Sequence, residues 1–317
     1  MYYLGIDLGG TNIAAGIVDE NLNIVAKGSV PTGAQRGIDV VMDDMAALCQ
    51  KLLADNGLTV ADMAYAGIAS PGTCNSATGV VEFSNNIVMH NYPIAKVLSE
   101  KLGIAKVYID NDANSAALAE ALVGSAKGAS CAVMITLGTG VGGGIVIDGK
   151  IFSGFNHAGA ELGHIVIEKD GRQCTCGRRG CWETYSSATG LINMTREKMI
   201  ENKDSLMWEL CGGIDTISGK TAFQAKRKGD KAGAEVVDMY VSYLGAGLTN
   251  IVNIFQPEVL CIGGGVCNEG EYLMAPLREY IARENFARNS ANQTKLTRAT
   301  LGNDAGIIGA AAFANGN

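Results

Sequence analysis

Two stretches of this 317-residue chain follow one plan. LGIDLGGTNIAAGIVDENLNIV begins at Leu4, and VMITLGTGVGGGIVIDGKIF begins at Val133. Each reads as strand, glycine turn, strand, turn, strand, at an offset of about 130 residues. The first set of strands is predicted at Tyr2–Asp7, Ile13–Val18 and Leu22–Ala26. A helix over Val40–Leu53, a strand over Met63–Ile68, a helix over Tyr92–Leu102, a strand over Lys106–Ile109 and a helix over Ser115–Leu122 follow it. The second set is predicted at Ala132–Thr136, Gly143–Ile147 and Lys150–Phe152. After a cysteine-rich stretch come helices at Ala188–Glu201, Thr221–Arg227 and Ala232–Phe255. The chain then alternates a strand at Val259–Ile262, a helix at Tyr272–Glu284, a strand at Lys295–Thr297 and a final helix to Ala314. Two copies of a βββαβα unit predict two α/β lobes. Glycine hairpins facing each other from two lobes would form a cleft for a phosphate-bearing ligand.

The first hairpin turn is Gly9-Gly10-Thr11-Asn12, preceded by Asp7. With no side chain at two positions, backbone N–H groups can approach phosphate oxygens, while Asp7 suits a metal-bound water better than the phosphate itself. The chain has no G-x-x-x-x-G-K-[ST] loop. Gly138-Thr139-Gly140 is the matching turn of the second copy, with a threonine hydroxyl to donate. Gly263-Gly264-Gly265 follows a buried strand and reads equally as a tight strand–helix turn or as a place where a flat base meets backbone. Asp112 stands where a strand ends and a helix begins. It reads either as an N-cap or as a general base, with Asn111 and Asn114 crowding polar groups where one cap would do.

Between Asn156 and Glu183 the sequence is NHAGAELGHIVIEKDGRQCTCGRRGCWE. Three thiols, Cys174, Cys176 and Cys181, with the imidazole of His164, make a closed four-coordinate set suited to structural zinc. Gly177 and Gly180 let the chain fold back on itself, and Ile165–Ile167 reads as a short apolar strand. Glu161 and Glu183 bracket the cluster, so a metal there would fix two carboxylates. His157 is expected to cap a helix around Ala158–Leu162, and His90 to lie in a loop.

Composition narrows the function. A net charge of −7 argues against a nucleic-acid partner. Met1 leads straight into an apolar strand, with no signal peptide and no run long enough to span a membrane. Nine cysteines, three of them at ligand spacing, fit a reducing cytoplasm better than a disulfide framework.

ELGH followed by CTCGRRGCWE resembles the signature of the ROK family of sugar kinases and sugar-responsive repressors. DLGGTN, the SPG of Ser70–Gly72, NDANSAALAE, LGTGVGGG and IGGGV extend that resemblance along essentially the whole chain. The glycine motifs are shared with the wider actin-like ATPase superfamily. The resemblance implies a two-lobed actin-like (ribonuclease H-like) α/β fold with duplicated βββαβα units flanking a cleft. Its lobes would be 1–118 plus 303–317, and 119–302 with the zinc motif and nucleotide segments. It implies ATP-dependent phosphorylation of a hexose, glucose by overall look, with Asp112 as base. Asn86, Asn111, Glu161, His164 and Glu183 would hold the sugar. Asp7, Gly9–Asn12, Gly138–Gly140, Gly264 and Gly265 would hold ATP with Mg2+, and the Cys3His set structural Zn2+. A homodimer or homotetramer is implied, without membrane or nucleic acid. The GIASPG loop departs from the G-x-x-G-P version of many members, which leaves N-acetylmannosamine, N-acetylglucosamine, fructose and allose open as substrates. The other reading, a sugar-sensing regulator, would want a helix-turn-helix ahead of the first strand, and Met1 is one residue from that strand.

Overall fold

A computed structural model describes residues 1–316. In chain order it has β1 (Tyr2–Leu8), β2 (Asn12–Asp19), β3 (Ile24–Pro31), α1 (Ile38–Asp55), β4 (Met63–Ser70), β5 (Thr73–Asn75), β6 (Val80–Ser84) and β7 (Met89–Tyr92). Then come α2 (Ile94–Leu102), β8 (Val107–Asn111), α3 (Asp112–Val123), β9 (Cys131–Leu137), β10 (Val141–Ile147) and β11 (Lys150–Ile151). The rest is α4 (Glu183–Ser186), α5 (Ala188–Glu201), α6 (Met207–Cys211), α7 (Thr221–Arg227), α8 (Lys231–Phe255), β12 (Val259–Gly263), α9 (Glu271–Glu284), β13 (Lys295–Arg298), α10 (Ala305–Ala311) and α11 (Phe313–Gly316).

The duplication is visible as topology. One five-stranded sheet has the order β3-β2-β1-β4-β8, and the other has β11-β10-β9-β12-β13, the same order in the second copy. In the first, β1 and β2 pair antiparallel while β4 and β8 join parallel to β1. In the second, β10 and β11 are antiparallel and β12 and β13 parallel.

The chain divides into two compact units, one of residues 1–132, 144–160 and 300–317, the other of 133–143 and 161–299. In the first, α1 lays an apolar stripe of Val41, Met42, Met45, Cys49 and Leu52 on the sheet. Helix α10 packs on β1, β4 and α3. It can do so because Gly5 and Gly67 pair across β1 and β4. A Cβ at either would stand 2.0 or 1.9 Å from a carbonyl oxygen of α10. Glu120 of α3 is fully buried yet satisfied: its carboxylate accepts from the backbone N–H of Ser125, Thr300 and Leu301. These bonds tie residues 300–301 to α3, which runs on to Val123. The boundaries therefore differ from those expected at 118 and 302. In the second unit α8 is the core element, packed by α4, α5, α7 and α9.

Several local expectations change. Residues 73–92 fold as a three-stranded sheet, β5-β6-β7, which short polar strands did not announce. Tyr92 ends β7 instead of opening α2, because it precedes Pro93, and a residue before proline prefers extended backbone. His90 accordingly lies on a strand, exposed, against Phe83. No helix forms over 158–162, because His157 (φ 59°) and Ala160 (φ 63°) are left-handed; a 3-10 turn follows at Leu162–His164. Ile165–Ile167 makes only one bridge, Val166 to Cys181, in place of a strand. The final helix breaks at Ala312.

Candidate functional site

In the first unit, strand register brings the acidic residues together. Asp7, Ala69 and Asp110 are aligned across β1, β4 and β8 at the carboxyl ends of parallel strands, where open α/β sheets place ligands. Asn111 closes β8 and caps α3, its Oδ1 accepting from the N–H of Ala113 at 2.8 Å and of Asn114 at 3.3 Å. Its Nδ2 donates to Gly72 O of the Ser-Pro-Gly turn at 3.1 Å. Asp112 is therefore the first helical residue and exposed, with its Oδ1 2.8 Å from Ala113 N.

Two neighbours set the local field. Asp110 is buried and accepts from Asn111 N (2.7 Å) and Asn114 Nδ2 (2.8 Å). Burial still holds its carboxyl above the ordinary range. Asp7 is pushed up to about 6, first by burial and then by the negative charge of Asp112. Sequence reasoning missed Asp110; its signal was a carboxylate ending a buried strand, one residue ahead of Asn111. The Gly9–Asn12 turn is tied by Gly9 N to Asn12 O at 3.0 Å and by Thr32 Oγ1 to Gly9 O at 2.6 Å, leaving Gly10, Thr11 and Asn12 exposed. Asn86, also exposed, lies beside this turn: a Cβ at Gly10 would be 4.0 Å from its Cβ.

In the second unit, His164, Cys174, Cys176 and Cys181 offer ligand atoms all within 4.8 Å of one another. The Cys176–Cys181 Sγ separation is 3.7 Å, and Cys174 Sγ is 3.7 Å from His164 Nδ1. Tetrahedral zinc with Zn–S bonds of about 2.3 Å requires sulfurs about 3.8 Å apart. The donor set and its spacing both fit the ion. The loop is closed by backbone bonds from Cys174 N to Arg178 O (2.9 Å) and Gly180 N to Arg172 O (2.8 Å). Below it, Trp182 is fully buried and donates through Nε1 to Tyr243 O of α8 at 3.0 Å.

The same knot carries the carboxylates. Glu183 Oε2 accepts from Val141 N at 2.9 Å, and its Oε1 is 3.9 Å from Cys174 Sγ. Partial burial raises the carboxyl of Glu161, with His164 opposing and Glu183 adding to the effect. Gly163, between Glu161 and His164, has a reason that sequence alone did not supply: a Cβ there would be 2.1 Å from Val141 O. The Gly138–Gly140 turn is anchored by Ala188 N to Gly138 O (2.9 Å) and Thr189 Oγ1 to Thr139 O (2.8 Å). Gly264 (φ 101°) presses on Leu137, where a Cβ would be 2.2 Å from the carbonyl oxygen. The exposed Gly264 and Gly265 thus adjoin the exposed Gly138 and Thr139.

Duplicated βββαβα units with a glycine hairpin in each copy define a protein of the actin-like ATPase fold. A family model described as the ROK family matches residues 3–317, and the chain belongs to the ROK family. It is 36% identical over 314 residues to a glucokinase of Thermotoga maritima, covering 98% of this chain and 96% of that one. It is 34% identical over 278 residues to an N-acetyl-D-glucosamine kinase of Aliivibrio fischeri, covering 84% and 85%. A crystal structure of a ROK family glucokinase from Streptomyces griseus, in complex with glucose and AMPPNP, superposes with a TM-score of 0.83 at 32% identity, covering 98% of both chains.

Proposed function

We propose that this chain phosphorylates glucose on its 6-hydroxyl, with ATP as donor and Asp112 as general base. That it is an ATP-dependent sugar kinase rests on its family and on the glucokinase relatives along nearly its full length. The observation that carries the role of Asp112 is its place: exposed, first in α3 at the carboxyl end of a parallel strand, with the capping task taken by Asn111. A primary alcohol is a poor nucleophile at neutral pH. Asp112 accepts its proton as the oxygen bonds to the γ-phosphorus, and ADP departs with the electrons of the broken P–O bond.

Asn86, Asn111, Glu161, His164 and Glu183 are the residues we assign to the sugar hydroxyls. Gly9–Asn12, Gly138–Gly140, Gly264 and Gly265 are assigned to ATP, and Asp7 to the hydration shell of its Mg2+. The magnesium ion supplies charge neutralisation on the phosphates when bound. His164, Cys174, Cys176 and Cys181 would hold a structural Zn2+, and the ELGH turn and Glu183 would be fixed with them. We further assign the protein to the cytoplasm, working as a homodimer or homotetramer; among the described residues no helix is long and apolar enough to cross a membrane.

A coupled assay with ATP and a panel of glucose, N-acetylglucosamine, N-acetylmannosamine, fructose and allose tests the reading. The highest kcat/KM is expected with glucose. An N-acetylhexosamine preferred by ~10-fold or more would keep the chemistry and replace the substrate, in line with the N-acetylglucosamine kinase relative. No turnover with any of these would leave a sugar-binding regulator.

A further inference from the structure

The Cys3His set is unevenly covered. Cys174 and Cys181 are buried, whereas Cys176 stands in a run, residues 175–179, that is exposed throughout. Among the described residues it is the one exposed cysteine of the chain. Its sulfur lies 3.7 Å from that of Cys181. Cys174 Sγ faces His164 Nδ1 at 3.7 Å and Glu183 Oε1 at 3.9 Å.

The backbone on the two sides of the Cys176–Cys181 pair differs in its freedom. Gly177, beside Cys176, has open space where a Cβ would point. Gly180, beside Cys181, has none: a Cβ there would stand 1.7 Å from Glu168 O. Trp182, on the other side of Cys181, is fully buried, and its N–H donates to Ile165 O at 2.8 Å. Cys181 is therefore fixed, and the exposed turn is the part that can move. Closing 3.7 Å to the length of a disulfide bond takes a shift of ~2 Å.

We propose that Cys176 and Cys181 are a peroxide-sensitive pair, which makes the metal site a site of reversible oxidation as well. The inference rests on the zinc assignment above. Cys176 is the thiolate that hydrogen peroxide can reach. Its sulfur attacks one peroxide oxygen, the O–O bond breaks, hydroxide leaves, and Cys176 becomes a sulfenic acid. The Cys181 sulfur then attacks the Cys176 sulfur, a second hydroxide leaves, and the S–S bond forms. Two thiolates lose two electrons in all, and one peroxide gains them. The oxidised pair offers no thiolate to a metal, so the four-coordinate set is broken. Glu183 and the ELGH turn lose their anchor with it, and the sugar site loosens.

The test treats the zinc-loaded full chain with hydrogen peroxide in steps. Zinc release is read with a chromogenic chelator, and thiols and disulfides are mapped on peptides. Release of about one zinc per chain is expected, in step with the loss of about two thiols and with a disulfide between Cys176 and Cys181. A dione probe that traps sulfenic acids should label Cys176 and not Cys181. Glucose affinity should fall by at least ~10-fold and return with thiol reductant and added zinc. Zinc that is present at the start and stays bound through oxidation would overturn this inference alone. So would a disulfide or a trapped sulfenic acid at Cys174, or oxidation of Cys176 to the sulfinic acid with Cys181 still reduced. A chain isolated without zinc would overturn the metal assignment and this inference with it.

Discussion

Asn111 caps the helix that Asp112 opens, through hydrogen bonds to the backbone N–H of Ala113 and Asn114. Asp112 shares one of these donors, its Oδ1 also accepting from Ala113 N at 2.8 Å, while Asn111 alone reaches Asn114 N.

Asp112→Asn separates proton transfer from helix capping. The amide keeps the size and much of the hydrogen bonding but cannot take a proton. Turnover is expected to fall by at least ~100-fold, the usual worth of a general base. Glucose should still bind, zinc content should be unchanged, and stability should shift by less than about 0.5 kcal/mol because the cap belongs to Asn111. Steady-state kinetics with a denaturant melt on the same sample checks this, and near-normal turnover would remove Asp112 from the mechanism.

Gly163→Ala tests the packing behind the E-x-G-H turn. The added methyl would meet Val141 O at 2.1 Å, with the carbonyl carbon and Cβ of Val141 both at 3.0 Å, and a strand backbone has little room to yield. A loss of about 1–3 kcal/mol is expected. The KM for sugar should rise as well, since Glu161 and His164 flank the displaced residue. A melt and KM both equal to wild type would contradict the assigned close packing.

Much of this was legible before any coordinates. Strand–glycine–strand periodicity reports burial and turns directly, so the duplicated units, both hairpin turns and the Cys3His set were open to reading from residue type and spacing. The parts that were hidden depend on contacts distant in sequence. Asp110 matters because β1, β4 and β8 bring it level with Asp7. Gly163 matters because β10 runs under it. Residues 73–92 are too short and polar per strand to signal a sheet, and the left-handed backbone at His157 and Ala160 broke a helix that composition alone allowed.

Removing one metal ligand should have consequences beyond the metal. Cys176 is exposed, so Cys176→Ser perturbs packing little by itself. Metal analysis of the wild type is expected to give about one zinc per chain, and of the variant almost none. Thermal stability should drop, because structural zinc contributes to folding. Sugar affinity should weaken too, since Glu183 adjoins Cys174 and Glu161 lies on the turn that His164 ends. A wild-type protein free of zinc, with every thiol titratable, would refute the assignment.

Asp7 gives the pH dependence of the ligand-free protein. Its carboxyl is raised from 3.8 to about 6 in the folded chain, by burial first and by Asp112 second. Between those two values the folded state holds a proton that the unfolded state has released. Its contribution to stability is therefore largest below about pH 4 and is lost as pH rises through about 6. The loss amounts to at most about 3 kcal/mol, because each tenfold change in proton affinity is worth about 1.4 kcal/mol. Asp110 is raised in the same direction, so the informative quantity is the difference between wild type and Asp7→Asn. Denaturant melts from pH 4 to 8 should show the wild type losing stability relative to the variant as pH rises, with the change centred between pH 4 and 6. A difference that stays constant with pH would mean that Asp7 is not held against its charge by Asp112 and the buried sheet edge.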